Sequence, residues 1–288
     1  MNRGIVYATL AYVMWGLFPA LFKQLATVPP LEVVMHRLLW ALVFLLVLLA
    51  VLRRWAWLRG LARQPRVVGG FALSALLLSA NWLIYIWAVQ NARVVEASLG
   101  YFILPLVNVA FGFMFLHERP RPVQWLAVVV ASAGVLWLTW QAAHLPWVAL
   151  ALALTFGIYG LLRKLASLGA LEGLTLETLL LAPVALGALT WWGLQGQGAL
   201  VQGDARTLGW LLLAGPLTAL PLLLFAAAAR RIPMASMGIL QYISPSLQML
   251  LGVWLYGEPF DPTRAVGYAL IWLALLIYSA DSLIQSRH

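Results

Sequence analysis

Apolar residues run through this chain in long blocks, without the two- or 3.6-residue alternation that marks half-buried elements of a soluble fold. Ten blocks reach the roughly 20 residues that a hydrocarbon core requires. They lie at about 4–25, 32–52, 68–90, 95–116, 123–140, 145–164, 174–194, 207–229, 235–256 and 263–281. The interruptions are short and rich in Pro, Gly and charge: Pro29-Pro30, Pro65, Arg119-Pro120-Arg121-Pro122, 196–204 and 258–262. None has room for an extramembrane domain. The first block lacks a small-residue cleavage site after a short apolar region, so it reads as a membrane helix and not as a removable signal. The pattern predicts an all-α membrane protein of ten transmembrane helices.

Composition narrows the choice of solvent. The 288 residues are 64% apolar and 9% charged, with mean hydropathy +0.92, more apolar surface than one soluble core could hide. The net charge of +9 first suggests nucleic acid. Its distribution argues otherwise: Arg53, Arg54, Arg59, Arg63 and Arg66 are interleaved with Trp55, Trp57, Leu58 and Leu61. Such a basic amphipathic loop suits anionic headgroups, so the expected partners are the lipid bilayer and a small molecule, not nucleic acid. With ten spans, one side collects Arg3, the five loop arginines, Arg119, Arg121, Arg163, Lys164, Arg230, Arg231 and Arg287, thirteen of the 18 basic residues. The other side holds Lys23, Arg37, Arg93, Arg206 and Arg264. That asymmetry places both termini in the cytoplasm. There is no cysteine, and His36, His117, His144 and His288 show no metal-ligand spacing, so neither a metal nor a cofactor is expected.

The chain also repeats itself. Tyr101, Pro105, Asn108, Gly112 and Glu118 are answered 140 positions later by Gln241, Pro245, Gln248, Gly252 and Glu258. Ala-Ser-Leu-Gly at 97–100 is answered by Ala-Ser-Met-Gly at 235–238, and Trp15, Gly16 and Lys23 by Phe156, Gly157 and Lys164. The pattern predicts two repeats, 1–141 and 142–288, of five helices each. An odd number of spans inverts the second copy relative to the first, the symmetry of alternating-access transporters and of some channels.

Three groups of residues carry candidate chemistry. Tyr101, Pro105, Asn108 and Gly112 share one helix face, and Gln241, Pro245, Gln248 and Gly252 repeat it with Tyr242, Ser244 and Ser246 close by. Amides are costly against lipid, so Asn108, Gln241 and Gln248 should face the bundle interior or a wet cavity. The prolines free carbonyls that can line such a cavity, and Pro105, Gly112, Pro245 and Gly252 are candidate hinges. The plainer alternative is hydrogen bonding between helices and close packing at the glycines. In the second group, Asn81 and Tyr85 lie one turn apart and suit an amphipathic or aromatic ligand with a polar handle. Trp82 and Trp87 are equally readable as interface anchors. In the third, Glu32 and His36 are one turn apart and followed by Arg37 and Trp40. A histidine beside a carboxylate is a natural proton switch, and Arg37 is a candidate contact for an anion. Glu96 and Glu177 read as carboxylates near helix starts, Glu118 and Glu258 as caps or loop charges, and Lys23, Arg163 and Lys164 as cations at helix ends. No nucleophile elbow, phosphate loop, carboxylate pair or metal cluster is present in the sequence, so catalysis is not expected.

At Met35-His36-Arg37, Asn81-Trp82-Leu83, 96–102, 105–108, Tyr159-Gly160, Arg163-Lys164, Glu177-Thr178, Pro183-Val184 and Gln241-Tyr242-Ile243 with Pro245, the sequence resembles the RarD-type permeases of the EamA group, in the drug/metabolite transporter superfamily. The resemblance spans nearly the whole chain. It implies two inverted five-helix repeats with the transport path between them, in a bacterial inner (plasma) membrane. Members of the superfamily export amino acids and other metabolites. Leu104 departs from the pattern, where a polar residue is expected before the proline. The function to expect is a secondary exporter or facilitator of small amphipathic metabolites such as amino acids or aromatic, drug-like compounds. Asn81, Tyr85, Tyr101, Asn108, Gln241, Tyr242 and Gln248 would touch the substrate. The rival readings are a membrane-embedded enzyme and a non-transporting ligand-binding protein. Small residues at Ala131, Gly134 and Gly267 suit either a homodimer or packing within one chain.

Overall fold

Proline decides where several of these helices break. A proline removes one amide donor and pushes its ring against the carbonyl four residues earlier. Pro19 does this to Trp15, and the first apolar block splits at Leu17 into α1 (Arg3–Gly16) and α2 (Phe18–Gln24). Pro245 does it to Gln241, and the block expected at 235–256 splits at Tyr242 into α12 (Met234–Gln241) and α13 (Ile243–Leu250), followed by a π-helical turn at Leu251–Leu255. Pro105, Pro183, Pro216 and Pro221 instead sit inside unbroken helices. The computed structural model describes residues 2–61, 63–90, 94–140, 147–255 and 262–285. Its remaining elements are α3 (Pro30–Val51), α4 (Leu58–Leu61), α5 (Pro65–Gln90), α6 (Val94–Leu116), α7 (Pro122–Trp140), α8 (Trp147–Leu165), α9 (Ala170–Leu194), α10 (Ala199–Gln202), α11 (Ala205–Ala229) and α14 (Pro262–Gln285). Among the described residues there is no strand.

Among the described residues, eight helical stretches are long and apolar enough to cross a membrane: α1 with α2, α3, α5, α6, α7, α8, α9 and α11. A shorter apolar stretch, Ala265–Asp281, lies within α14. The outer faces of the bundle are lined with Leu, Val and Trp, as lipid requires. Expected features at Glu96, Gly252 and Glu258 fall on side chains or residues outside the described set.

Packing is mostly between the first and second halves of the chain. α1 packs on α11 and α5 on α8; α6 packs on α8, and α13 on α1; α3 packs on α11, and α9 on α5. Three further contacts, α3 with α9, α6 with α12 and α7 with α14, join helices in corresponding places of the two halves. Residue contacts follow the same correspondence. Gly16 leaves room for Leu247 and the Ser244 carbonyl, and Gly157 leaves room for Val107 and Leu104. The rings of Trp15 and Phe156 meet edge to face at 5.8 Å, inside an aromatic cluster with Tyr12, Tyr159 and Phe225. Gly134 and Gly267, open in sequence to either use, bring α7 and α14 together within the chain: a methyl on Gly134 would lie 2.8 Å from the Gly267 carbonyl oxygen.

Basic residues gather at one end of the bundle. Arg54 pairs with Glu172 at 3.4 Å and Arg121 with Asp281 at 2.5 Å. α6 ends there in a left-handed turn at His117 (φ 53°), with the Glu118 amide returning to the Gly112 carbonyl at 3.0 Å. The turn carries the Glu118 carboxylate back over Gly112. It accepts hydrogen bonds from the Met234 and Ala235 amides (2.9 and 3.3 Å) that open α12, and lies 3.5 Å from Lys164. Lys164 itself donates to the carbonyls of Ala229 and Ile232. Glu118 therefore caps α12 from another helix, and Gly112, a candidate hinge, is the seat that its carboxylate needs. At the opposite end Asp204 caps α11 by accepting from the Thr207 amide at 2.8 Å. Hydrogen bonds from Thr207 hold its carboxyl below the usual range. Arg206 donates to Gln24 beside it at 2.8 Å.

Candidate functional site

Between α3, α5, α9 and α11 lies a narrow cavity of about 10 Å³, room for roughly one water. Its walls are mostly aliphatic: Leu38, Ala41, Leu78, Leu174, Leu181 and Leu222. Two charged side chains interrupt them, Arg37 from α3 and Glu177 from α9. They stand 140 positions apart in the sequence, at corresponding places of the two halves.

Arg37 is only 9% exposed, yet it has no carboxylate partner among the described residues. Its Nε donates to the Thr218 hydroxyl at 2.8 Å. Its guanidinium carbon lies 5.2–5.5 Å from the ring centres of Trp82, Phe18 and Phe22, cation–π distances. Tyr85 and Tyr101, whose rings meet at 6.1 Å, lie within its electrostatic reach.

Glu177 is fully buried, and its surroundings are polar. It accepts from the Ser74 hydroxyl at 2.5 Å and the Tyr159 hydroxyl at 3.4 Å, and pairs with Arg163 at 3.5 Å. Arg163 is 1% exposed, donates to the Ala170 carbonyl at 3.1 Å and stacks on Phe71 at 5.4 Å. The arrangement corrects two sequence expectations. Glu177 is the eighth residue of α9 and well past its first turn, so the helix terminus does not explain it. Arg163 is held by a buried carboxylate as well as by its place at the end of α8. A second, wider cleft of about 250 Å³ opens between α5 and α8 at the basic end, lined by Arg66, Gly70, Phe71, Ser74, Arg163 and Ser167. Ser74 belongs to its wall while holding Glu177, which belongs to the inner cavity.

The candidate residues from sequence fall into separate groups. Tyr85 and Tyr101 come together near Arg37. Asn81 lies on the same helix as Tyr85 but faces α8, where its amide donates to the Leu152 carbonyl and the Thr155 hydroxyl, both at 2.9 Å. Asn108 donates to the Gln241 side-chain oxygen at 2.9 Å across the α6–α12 crossing, and the Tyr242 hydroxyl reaches the Phe102 carbonyl at 3.2 Å. Gln248 donates to the Trp15 carbonyl at 3.1 Å, the acceptor to which Pro19 has no amide to offer, and so bridges the break between α1 and α2. Glu32 and His36 form the expected pair, 3.7 Å apart. The Glu32 carboxylate also accepts from the Ala199 amide at 2.5 Å, and His36 accepts from Trp40 at 3.3 Å. His36 thus faces the loop before α11, while Arg37 faces the cavity. Among the described residues no cluster of three or more His, Asp and Glu could hold a metal.

Asn81 gives a simple check of this geometry. Asn81→Leu removes two hydrogen bonds between α5 and α8 and should lower stability by about 1–2 kcal/mol, read as a lower unfolding midpoint in detergent. An unchanged midpoint would contradict the assigned contact.

Long apolar helices around an interior cavity with buried charge define a multi-pass membrane protein. The chain belongs to the EamA-like transporter family, whose sequence profile matches it twice, over residues 2–140 and 146–280. Within that family it is a RarD-type permease. It is 42% identical to protein RarD of Escherichia coli K12, the match covering 99% of this chain and 97% of the relative. It is 46% identical to a protein of Pseudomonas aeruginosa described as an uncharacterized transporter, over 98% of this chain and 95% of the relative. With the chloramphenicol-sensitive protein RarD of the same organism it shares 37% identity, over 98% and 95% of the two chains. A solved crystal structure shares the fold, with a TM-score of 0.70 at 18% identity over 96% of this chain and 97% of the other.

Proposed function

We propose that the chain is a secondary transporter, an exporter or facilitator of small amphipathic metabolites such as amino acids or aromatic, drug-like compounds. It works by alternating access between two inverted five-helix repeats, 1–141 and 142–288. The observation that carries this reading is the pair Arg37 and Glu177, in corresponding places of the two halves, at the wall of one interior cavity. In an inverted repeat, corresponding residues approach the cavity from opposite faces of the membrane, so each can close one end of it. The exchange of packing partners between halves and the double match of the family profile support the same division. The lysine and arginine bias supports a cytoplasmic basic end, with both termini on that side of a bacterial inner membrane.

In this reading Arg37, Phe18, Phe22 and Trp82 close the outer end and Glu177, Ser74, Tyr159 and Arg163 the inner end. Tyr85 and Tyr101 meet the substrate beside Arg37. Asn108, Gln241, Tyr242 and Gln248 border the path along α6, α12 and α13, where Pro105 and Pro245 give the helices places to bend. Glu32 and His36 are the groups through which a proton gradient would act.

Flux into proteoliposomes tests the proposal, with labelled amino acids and chloramphenicol, each with and without an imposed pH gradient. Saturable uptake is expected. An Asn108→Ala, Gln241→Ala double variant should lower it about tenfold or more, because the path loses both members of a buried amide pair. A folded protein that moves nothing across the panel would sink the reading.

A further inference from the structure

The guanidinium of Arg37 has more hydrogen-bonding capacity than this structure uses. Of its five N–H donors only Nε–H is engaged with a described residue, on Thr218. The four others belong to a side chain that lines the central cavity. Burying a cation inside a membrane protein without an anion beside it is expensive, and the cost persists only where something repays it. Aromatic faces repay part: Trp82, Phe18 and Phe22 surround the cation and fix its plane. They supply no acceptor oxygen. Glu177, at the same cavity, is not that acceptor. Its oxygens are held by Ser74, Tyr159 and Arg163. Counting the charged groups on and directly behind the wall, Arg37 and Arg163 against Glu177, the cavity carries one net positive charge.

We propose that this cavity is built for an amphipathic organic anion. Its carboxylate or sulfonate head is gripped by the free edge of the Arg37 guanidinium, and its apolar body rests on Trp82, Leu78, Leu174 and Leu222. Arg suits this task because its planar fork takes two oxygens of one anionic head at once. The other polar groups of the wall are engaged, Glu177 by Ser74, Tyr159 and Arg163 and the Thr178 and Thr218 hydroxyls by the Leu174 and Ala214 carbonyls, which favours a single anionic head over a molecule polar at both ends. The present volume of about 10 Å³ admits no such molecule, so the bound form has α3 and α11 drawn apart around it. This assignment rests on the transporter reading for its place in a cycle, but the binding site itself does not require flux.

The test uses the full chain, in detergent for binding and in proteoliposomes for flux. The anionic probe is p-toluenesulfonate, which stays charged at all working pH values and leaks slowly through lipid; its neutral isostere is p-toluenesulfonamide. Wild-type protein should bind the sulfonate about tenfold or more tightly than the sulfonamide. Arg37→Gln should abolish that preference, and Arg37→Lys should keep part of it. Thr218→Val, which frees the guanidinium without removing its charge, should weaken the sulfonate more than the sulfonamide. The wild-type comparison of the two probes stands even if the charge-removing variant fails to fold. Equal binding of the two probes by the wild type overturns the proposal. Saturable flux of phenylalanine or chloramphenicol while the sulfonate neither binds nor moves would leave the transporter reading intact and discard the anion site. Preferential sulfonate binding without flux of any probe would keep the anion site and discard transport.

Discussion

Glu177→Leu should cost about 3–5 kcal/mol of stability, and Arg163→Leu somewhat less, while the double variant regains most of the loss. The two charges face each other at 3.5 Å with both side chains 1% exposed. Removing Glu177 strands a buried guanidinium with only the Ala170 carbonyl and the Phe71 ring for company. Removing Arg163 leaves a carboxylate with Ser74 and Tyr159 still donating to it. Replacing both by Leu removes the desolvation problem altogether, as buried ion pairs exchanged for apolar groups commonly do. Unfolding in detergent against a titrated denaturant reads the order directly. Three variants within 0.5 kcal/mol of the wild type would mean that the pair is not buried as described.

The second large effect concerns the α6–α12 crossing. A methyl group on Gly238 would lie 2.5 Å from the Pro105 carbonyl oxygen and 3.3 Å from the Asn108 Cβ. A backbone oxygen inside a helix cannot swing aside, so the helices must part, and the Asn108–Gln241 hydrogen bond goes with them. Gly238→Val should lose about 2–4 kcal/mol, from overpacking together with a stranded amide pair. Gly187, in the middle of α9, has no neighbouring atom within 4 Å, and Gly187→Ala should instead gain roughly 0.5–1 kcal/mol from helix propensity. Opposite signs at two helical glycines in one unfolding assay would separate contact from propensity. A neutral Gly238→Val would exclude the close crossing.

Most of the helices are legible in the sequence because lipid imposes one strong rule on length and hydropathy: eight of the ten expected blocks appear as helices long and apolar enough to cross, while 235–256 divides and 263–281 gives a shorter apolar stretch. The breaks are not. Pro105 and Pro245 occupy matching places, yet α6 continues through its proline while the other stretch divides at Tyr242. A proline's clash can be absorbed by bending or by breaking, and neighbours remote in sequence decide which. Pro19 hid its break inside an unbroken apolar run, and the amide that bridges it comes from Gln248. The site was half legible. Arg37, a candidate anion contact in the sequence, lines the cavity, and Tyr85 and Tyr101, also candidates, lie within its electrostatic reach. Glu177 reads from sequence as a carboxylate near a helix start, because its neighbours along the chain suggest one. What defines it is Ser74, 103 positions away, and Tyr159 and Arg163 on another helix. Asn108, Gln241 and Gln248 bond to groups on neighbouring helices. Which groups those are depends on which helices cross, and a single helix face does not carry that information.

The interlocking of the two halves also sets an order of events during synthesis. Arg37, Asn81 and Asn108 leave the ribosome long before Thr218, Thr155 and Gln241, to which they donate hydrogen bonds. While the second half is still being translated, the first half sits in the bilayer with its polar side chains facing lipid or one another, and few of its final contacts exist. Membrane insertion and tertiary folding are thereby separated in time. The nascent first half is the species that membrane proteases and insertion chaperones meet, and its survival depends on how quickly translation delivers α8 to α12.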